Sequence, residues 1–351
     1  MSRPRLVLID GSSYLFRAFH ALPPLTNRAG EPTGALFGVV NMLRATLNER
    51  PARVAFVLDA SGTNFRHDLY PEYKANRPPT PPDLKAQVEP MMAIVQALGL
   101  PLLRVPKVEA DDVIGTLARR AVSAGYEVVI STGDKDFAQL VDEHTTLVNT
   151  MSGSVMDVAG VVEKFGVRPD QIVDYLALMG DSIDNIPGVE KCGPKTAAKW
   201  LAEYGTLDGV LENQAKVGGK IGENLRAAAP KLPLSRQLAT ICVDCELPMG
   251  LDDIALKEPD VAQLRALYVR YEFNAALKEL EKQVETGGVP EQPGAPAPAA
   301  APAIEAPATK VDYAAYELVL EREQLERWVA KLAAAREFAF DTETTGLDPQ
   351  Q

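Results

Sequence analysis

Cysteine is scarce in this sequence. Three cysteines among 351 residues cannot form a disulfide framework. Cys242 and Cys245 form a Cys-x-x-Cys pair, but a zinc site of this type needs a second pair of ligands. The pair lies in an apolar run, 238–247, that resembles a β-strand. We therefore interpret the two thiols as buried core groups, with zinc binding as the alternative.

Long apolar runs are missing as well. No uninterrupted stretch is long enough to cross a membrane. The opening Met-Ser-Arg-Pro-Arg leads directly into a strand-like segment, without the apolar core of a signal peptide. These features predict a cytoplasmic protein with no membrane partner. The length favours two folded units with connections between them.

Basic residues are fewer than acidic residues in this sequence. The chain has 36 Lys and Arg against 48 Asp and Glu, a net charge of −12. This balance argues against a generic basic nucleic-acid binder, but not against an enzyme that concentrates acids in a metal site. Between Asn185 and Arg236, however, eight basic residues outnumber five acidic ones, a local charge of +3. A local basic excess of this kind is typical of phosphate-backbone binding.

Short apolar runs at 6–9, 54–58 and 128–130 alternate with helical patterns at 34–47, 84–98 and from 109 onward. This alternation predicts an α/β fold with a mostly parallel sheet covered on both faces. Ligands of such sheets bind at the carboxyl ends of the strands. Each of the three runs ends near an aspartate: Asp10, Asp59 and Asp134.

A second group of acids, Glu109-Ala110-Asp111-Asp112, opens the helix that follows residue 109. Acids in a first helical turn commonly cap free N–H groups, and this is the simplest explanation of the group taken alone. Together with the strand-end aspartates it indicates more, because carboxylates brought so close repel one another unless a cation neutralises them. Oxygen ligands without nearby His or Cys suit Mg²⁺ or Mn²⁺. Independent turn and capping acids are the alternative.

The segment from 64 to 83 is rich in aromatic, basic and proline residues. We interpret it as a mobile excursion over the active end of the sheet, with a solvated loop as the alternative. It carries three basic residues that could contact phosphates and two tyrosines that could stack on bases: Arg66, Lys74, Arg77, Tyr70 and Tyr73.

Asp181 and Asp184, three positions apart, are predicted to face the same way. A glycine-bounded hairpin, 188–193, follows and leads into a helix. The N–H groups at such a helix start can bind phosphate, and three lysines add positive charge there: Lys191, Lys195 and Lys199.

The last part of the chain changes character. Helical patterns, including one over 261–284, end near residue 285, and 286–309 is a Pro/Ala/Gly tract typical of a semi-stiff linker. Beyond it the sequence predicts a strand at 316–320, a helix at 323–335 and a strand at 338–340. That strand runs into Asp341-Thr342-Glu343, which suggests the beginning of a second metal site.

Five segments together carry a resemblance to a known family: Leu8-Ile9-Asp10-Gly11-Ser12, Tyr70-Pro71-Glu72-Tyr73-Lys74-Ala75-Asn76-Arg77, Val108-Glu109-Ala110-Asp111-Asp112, Ser131-Thr132-Gly133-Asp134-Lys135-Asp136 and Gly180-Asp181-Ser182-Ile183-Asp184-Asn185-Ile186-Pro187-Gly188. The first 285 or so residues resemble the 5′-nuclease domain of bacterial DNA polymerase I, a relative of the flap endonucleases. The Pro-rich tract and Asp341-Thr342-Glu343 resemble the entry to the 3′–5′ proofreading domain of the same polymerases.

The resemblance implies a domain organisation. An α/β core of the PIN and flap-endonuclease type is expected over 1–180, with an arch at about 64–85. A helix-hairpin-helix subdomain is expected over 181–285. A linker over 286–310 and the start of a 3′–5′ exonuclease domain over 311–351 complete the expected order.

The resemblance also implies site residues. Two Mg²⁺ ions, with Mn²⁺ as a substitute, would be held by two groups of acids: Asp10, Asp59, Glu109, Asp111 and Asp112 in one, and Asp134, Asp136, Asp181 and Asp184 in the other. The first of these includes Asp111 and Asp112 as candidate direct ligands and Glu109 as a ligand acting through water. Lys74, Arg77 and Arg17 are the implied catalytic cations. DNA contacts are implied for Tyr73, Lys74, Arg77, Gly188, Val189, Gly193, Lys195, Thr196 and Lys199.

The implied activity is structure-selective 5′–3′ exonuclease and 5′-flap cleavage in primer removal and repair. The expected partners are DNA with 5′ flaps, nicks or ends and RNA primers on DNA, bound by a monomer at the bacterial nucleoid. A K⁺ ion is expected at the hairpin, although Lys191-Cys192 replaces the small, often glycine-containing pair of the family. Asp341 and Glu343 supply an incomplete site, which predicts no proofreading activity. A non-catalytic DNA-binding module and a small ribonuclease are the alternatives.

Overall fold

The computed structural model describes residues 3–285 and 321–334. The chain divides into two units, Met1–Val289 and Pro290–Gln351. The predicted linker, the predicted strands at 316–320 and 338–340, and Asp341 and Glu343 lie outside the described residues.

A six-stranded sheet forms the centre of the first unit. Its strands follow the order β3-β2-β1-β4-β5-β6, and every neighbouring pair is parallel except β5 and β6. The strands are β1 (Arg5–Asp10), β2 (Arg53–Val57), β3 (Leu102–Leu103), β4 (Glu127–Ser131), β5 (Thr145–Asn149) and β6 (Ser154–Met156). The predicted α/β class with a mostly parallel sheet is confirmed.

Helices account for most of the remaining described chain. They are α1 (Gly11–Ala21), α2 (Gly34–Asn48), α3 (Phe65–Leu69), α4 (Pro82–Lys85), α5 (Val88–Ala97), α6 (Ala110–Ser123), α7 (Val158–Phe165), α8 (Ile172–Met179), α9 (Pro194–Tyr204), α10 (Leu207–Glu212), α11 (Gly219–Ala228), α12 (Leu232–Ala239), α13 (Val261–Arg270), α14 (Asn274–Glu285) and, in the second unit, α15 (Arg322–Ala334). Short 3₁₀ helices cover Asp136–Leu140, Pro169–Gln171, Gln214–Lys216 and Leu251–Asp253.

The two faces of the sheet pack against different helices. Along β1, Leu6 and Leu8 belong to one core cluster, whereas Val7 and Ile9 belong to another. The first cluster continues through α6 and α8 to α11, and the second through α1, α2, α5, α13 and α14. Alternation along a strand sends successive side chains to opposite faces, so a continuous apolar run fills both layers.

Two helix predictions need correction. The pattern over 84–98 corresponds to a short turn, α4, followed by α5. The pattern over 261–284 is interrupted after Arg270, where Glu272 adopts a left-handed backbone with φ 59°. The interruption lets both Tyr271 and Phe273 enter the core, where each is about 5% exposed or less.

The predicted strand over 238–247 is wrong. Leu238 and Ala239 end α12, and the following residues form an irregular segment along α6. Its backbone is bonded to side chains: the N–H of Cys242 donates to Asp112 and the N–H of Cys245 to Thr116. Burial of Ile241 and Cys245 produces the apolar pattern without a neighbouring strand. Both thiols are free.

The second unit is described over α15, an exposed helix with an ion pair between Arg322 and Glu326 at spacing i, i+4. Among the helices that the structure describes, none has both the length and the apolar character that a membrane crossing requires.

Candidate metal centre, arch and hairpin

Three of the predicted acids meet at one edge of the sheet. Asp10 ends β1, Asp59 follows β2 and Asp134 follows β4. Because β2, β1 and β4 are parallel neighbours, their carboxyl ends lie side by side. Asp10 is 4% exposed and accepts hydrogen bonds from Ser13 N–H at 2.9 Å and Thr132 Oγ1 at 2.8 Å.

The pKa of Asp10 is raised from 3.8 to about 7. Burial is the largest cause, the two hydrogen bonds oppose it, and the charges of Asp134 and Asp59 add to it. The carboxylates are therefore close enough to repel one another. Such repulsion is what a bound cation would relieve.

Asp111 joins the same group from the first turn of α6. Burial raises its pKa well above the ordinary value, and Asp10, Asp134 and Asp59 add to the effect in that order. A hydrogen bond from Ala110 N–H to Asp59 Oδ1, 2.9 Å long, fixes the start of α6 against the end of β2. The structure thus brings Asp10, Asp59, Asp111 and Asp134 into one acidic cluster.

Asp112 has a different partner. It has no exposed surface, and its two carboxylate oxygens accept hydrogen bonds from Arg66 Nη1 and Nη2 at 2.8 and 2.7 Å. Both oxygens also accept backbone N–H groups, from Glu109 and Cys242. The expectation that Asp112 is a direct metal ligand is therefore corrected, because Arg66 and the backbone use all of its acceptor capacity.

Arg66 was expected to contact phosphate, and the structure corrects this as well. The side chain is 2% exposed. Besides Asp112 it bonds Glu109 and the carbonyl oxygens of Leu238 and Thr240. Five bonds use the full donor set of the guanidinium group. No sequence pattern around Arg66 distinguished it from the exposed basic residues of the same segment.

Glu109 faces the arch. Its carboxylate accepts bonds from four side chains: Asn64, Arg66, Tyr73 and Lys74. Burial alone would raise its pKa, but the positive charges of Lys74 and Arg66 outweigh burial and hold the pKa below its ordinary value. Glu109 is thus ionised in a cationic environment, and that it would bind metal through water stays a prediction.

The second predicted group of acids is spread over two segments. Asp136 follows Asp134 at the start of a 3₁₀ turn, and burial followed by the charge of Asp134 raises the pKa of Asp136 to about 7. Its Oδ1 is buried without a hydrogen-bond partner. Asp181 accepts a bond from Lys135 Nζ at 3.1 Å. Burial would raise the pKa of Asp181, but Lys135 and backbone N–H groups lower it overall. Lys135 was not among the predicted site residues, although its place between two acids was a signal.

Among the described residues, no three Asp, Glu, His or Cys side chains stand close enough to hold a metal ion in their present positions. Several of the acids are instead turned toward Lys and Arg. The donor set nevertheless fits a hard divalent cation, since it consists of carboxylates and includes the unpartnered buried oxygen of Asp136.

The arch segment is attached to the loop that carries Asp181 and Asp184. Lys74 N–H donates to the carbonyl of Asp184 at 3.0 Å, and Asn185 Nδ2 donates to the carbonyl of Glu72 at 2.7 Å. Lys74 and Asn185 each have φ 57°. The Lys74 ammonium also lies 3.8 Å from Asp184, and Arg77 forms an ion pair with Asp184. Lys74 and Arg77 are thus held beside the acids.

Two other predicted residues of this region have distinct positions. Tyr73 is 3% exposed and packs with Ile186 and Leu238, so its ring is not available to stack on a base in this structure, contrary to the prediction. Arg17 extends over the backbone of Gly133 and bonds Asn149 Oδ1. Arg17 thus lies beside Gly133, the residue that precedes Asp134 in the chain.

The predicted hairpin joins α8 to α9. Gly188 is required there, because a Cβ atom would lie 2.3 Å from the Met179 carbonyl oxygen. Lys191 adopts φ 63°, so the turn forms without a third glycine. The hairpin ends at Gly193, which precedes α9 and supplies no side-chain cap. Lys195 and Lys199 are exposed, and Thr196 is half-buried.

Val189 is the exception among the predicted hairpin contacts. Its side chain is 2% exposed. Its N–H donates to Leu178 and its carbonyl accepts from Cys192, both at 2.9 Å. The predicted DNA contact is corrected, because Val189 has no free backbone donor to offer a phosphate.

The chain thus has a mostly parallel sheet with acids along its carboxyl edge, followed by a helical hairpin. Two family models match a chain of this architecture. "5'-3' exonuclease, N-terminal resolvase-like domain" matches residues 5–166, and "5'-3' exonuclease, C-terminal SAM fold" matches residues 167–262. The chain belongs to the 5′–3′ exonuclease family. The family resemblance seen in the sequence is confirmed.

The chain is similar to DNA polymerase I of Pseudomonas aeruginosa, with 50% identity over all of this chain and 38% of the relative. It is also 39% identical to a 5′–3′ exonuclease of Aquifex aeolicus, over 79% of this chain and 95% of the relative. DNA polymerase I of Thermus aquaticus is 42% identical over 78% of this chain and 33% of the relative. The chain thus spans about two fifths or less of these polymerases.

Solved structures share the fold. The T5 5′-exonuclease with bound zinc aligns with a TM-score of 0.58 at 21% identity, over 79% of this chain and 98% of that one. A bacteriophage T5 flap endonuclease in complex with DNA and metal ions aligns with a TM-score of 0.56 at 20% identity, over 80% of this chain and all of that one.

Proposed function

We propose that the first unit hydrolyses phosphodiester bonds of DNA at 5′ flaps and 5′ ends, with divalent metal ions at the carboxyl edge of the sheet. The observation that carries this proposal is the acidic cluster of Asp10, Asp59, Asp111 and Asp134. These acids come from the ends of three adjacent strands and from one helix, and the charges of their neighbours in the cluster add to burial in raising the pKa of Asp10 and of Asp111. Membership of the 5′–3′ exonuclease family supports the same activity.

Two groups of carboxylates would hold the ions. Asp10, Asp59, Asp111 and Asp134 form the first, and Asp136, Asp181 and Asp184 provide the second with Asp134 shared between them. When bound, Mg²⁺, or Mn²⁺ in its place, lowers the pKa of water and neutralises charge on the phosphate. The metal-bound T5 structures of the same fold support a divalent cofactor.

Three basic side chains of the protein have a role separate from that of the metal ions. Lys74 and Arg77 lie beside Asp184, and Arg17 lies beside Gly133, the residue before Asp134. Once the acids have another cation as partner, Lys74 and Arg77 are available to bind the scissile phosphate and to stabilise its developing negative charge. Arg17, which bonds Asn149, would join them there. The buried ion pair between Arg66 and Asp112 joins the arch segment to the start of α6 and holds both in place.

The relatives support the substrate range that we propose. A T5 flap endonuclease of this fold was solved with DNA, and the longer relatives are DNA polymerases. We propose DNA with 5′ flaps, nicks or ends, including RNA primers, as substrates in primer removal and repair, acted on by a monomer in the bacterial cytoplasm. K⁺ at the hairpin 188–193 stays a prediction.

Cleavage of 5′-labelled flap DNA tests the proposal. Product is expected with Mg²⁺ or Mn²⁺ and none with EDTA. Asp134→Ala should abolish it, whereas Asp142→Ala, at an exposed aspartate outside the cluster, should keep wild-type activity. Cleavage that survives Asp134→Ala, or an absence of product under every metal, would sink the proposal. An RNA flap of identical shape, if preferred, would favour a ribonuclease instead.

A further inference from the structure

A single hydroxyl group connects two acids of the cluster. Thr132 is the first residue after β4 and is 4% exposed. Its Oγ1 donates to Asp10 Oδ2 at 2.8 Å and accepts the backbone N–H of Asp134 at 3.0 Å. A hydroxyl group has one proton to donate and two lone pairs that accept. Because the N–H of Asp134 is a donor, the proton of Thr132 is left for Asp10, and the hydroxyl serves both acids at once.

The two contacts of Thr132 differ in kind. A Thr hydroxyl that bonds the backbone two residues further on forms a common local turn, and this is the simplest explanation of its contact with Asp134. The bond to Asp10 is not local, because the two residues are 122 positions apart. It fixes the carboxylate at the end of β1 against the backbone that follows β4.

Thr132 is itself held in place. Its N–H donates to the carbonyl of Val148 in β5 at 3.1 Å, and its β-branched side chain has few rotamers. Beyond it, Asp134 Oδ1 accepts the N–H of Asp136 at 2.9 Å. A restricted side chain thus lies at the centre of a series of hydrogen bonds that runs from Asp10 through Asp134 to Asp136.

We propose that Thr132 is a positioning residue, which holds Asp10 and Asp134 in a fixed relative arrangement for divalent-metal binding. The proposal rests on the proposed function for the presence of the metal. Carboxylates that are already fixed lose less conformational freedom when a cation binds. Removal of a hydrogen-bond partner behind a metal ligand therefore weakens metal binding, typically by about 10- to 100-fold. The side chain of Thr132 is too deeply buried to contact DNA.

Mn²⁺ binding to the full chain without DNA, followed by the EPR signal of free Mn²⁺, tests this role. Thr132→Val keeps the shape of the side chain without its hydroxyl and should weaken Mn²⁺ binding about 10- to 100-fold. Thr132→Ser keeps the hydroxyl and should restore binding. Ser131→Ala is the matched control, since Ser131 is equally buried but bonds Tyr14 and the carbonyl of Val148. It should keep the wild-type affinity.

Thermal unfolding in EDTA separates positioning from a purely structural role. Thr132→Val and Ser131→Ala each remove a buried hydrogen bond, so both should lower Tm. Only Thr132→Val should lose Mn²⁺ affinity. In flap cleavage, Thr132→Val should need a higher Mn²⁺ concentration for its half-maximal rate, while KM for DNA at saturating Mn²⁺ should stay at the wild-type value.

Equal Mn²⁺ affinities of the wild type and Thr132→Val would overturn the proposal. Failure of Thr132→Ser to restore binding, or an equal loss in Ser131→Ala, would do the same. A wild-type chain whose Mn²⁺ binding depends on Thr132 but that cuts no flap contradicts the nuclease function and supports the positioning role. Flap cleavage by the wild type, with equal Mn²⁺ affinities in all variants, does the reverse.

Discussion

At the scale of single residues, the three acids that open α6 face three different environments. Asp111 faces other carboxylates, Asp112 faces Arg66, and Glu109 faces the arch. Consecutive helical positions are about 100° apart around the axis, so neighbours in sequence need not share a partner. Their functions should therefore separate on mutation.

Asp111→Asn and Asp112→Asn should have opposite effects. Asp112→Asn weakens a buried ion pair and should lower the free energy of unfolding in EDTA by about 3–5 kcal/mol. Asp111→Asn removes a repelling charge, and should not lower it. With Mg²⁺ or Mn²⁺ the Asp112 variant should retain the metal-induced rise in Tm, whereas the Asp111 variant should lose it. Thermal unfolding with and without metal measures both effects, and the reverse pattern would contradict this assignment.

Asp10 predicts a pH dependence of the metal-free protein. Its pKa is raised from 3.8 to about 7, chiefly by burial. Between these values the folded state holds a proton that the unfolded state has lost. The stability that Asp10 contributes is thus present at low pH and lost as pH rises toward about 7. Urea unfolding in EDTA should show wild type losing stability relative to Asp10→Asn over this range. A constant difference would refute the prediction.

At the scale of elements, the α8–α9 hairpin shows how local backbone strain is accommodated. Lys191 takes the left-handed conformation that glycine adopts without cost. Val189 and Cys192 on either side are buried, and their packing holds the turn in place despite the strain.

Lys191→Gly should be more stable than Lys191→Ala by about 1 kcal/mol, because alanine retains the Cβ atom that disfavours positive φ. Both variants remove the same charge, so the effect of the lost charge cancels in the comparison. Urea denaturation of the two variants provides the measurement. Equal stabilities would show that the turn changes conformation when the lysine is replaced.

At the scale of the whole molecule, the first unit contains the sheet, both core clusters and all acids of the described site. A relative described as a 5′–3′ exonuclease matches 79% of this chain along 95% of its own length. These facts indicate a unit that can fold without the second one.

A fragment of residues 1–289 should therefore keep the flap cleavage proposed for the chain and the Tm of its main unfolding transition. A fragment of residues 1–260 serves as the control. It lacks α13 and α14, whose Tyr268, Tyr271 and Phe273 complete the core on one face of the sheet, and it should unfold at a lower temperature. Loss of cleavage in the 1–289 fragment would show that the second unit is required.

The sequence by itself determined the class of the fold, the positions of Asp10, Asp59 and Asp134 at the ends of strands, and the family. These follow from short-range patterns: apolar runs, helical periodicity and motifs whose meaning does not depend on distant residues. The sequence also predicted the hairpin at 188–193 and the helix that follows it, together with the lysines beside them.

Only the tertiary structure decided which side chains are partners. Arg66 and Asp112 are 46 positions apart, and nothing local distinguishes a buried arginine from an exposed one. The burial of Tyr73 and the irregular path of 240–247 likewise depend on contacts with distant elements. The acids of the first turn of α6 were read as one group because they are adjacent in sequence. The fold separates them, because each points toward a different neighbour.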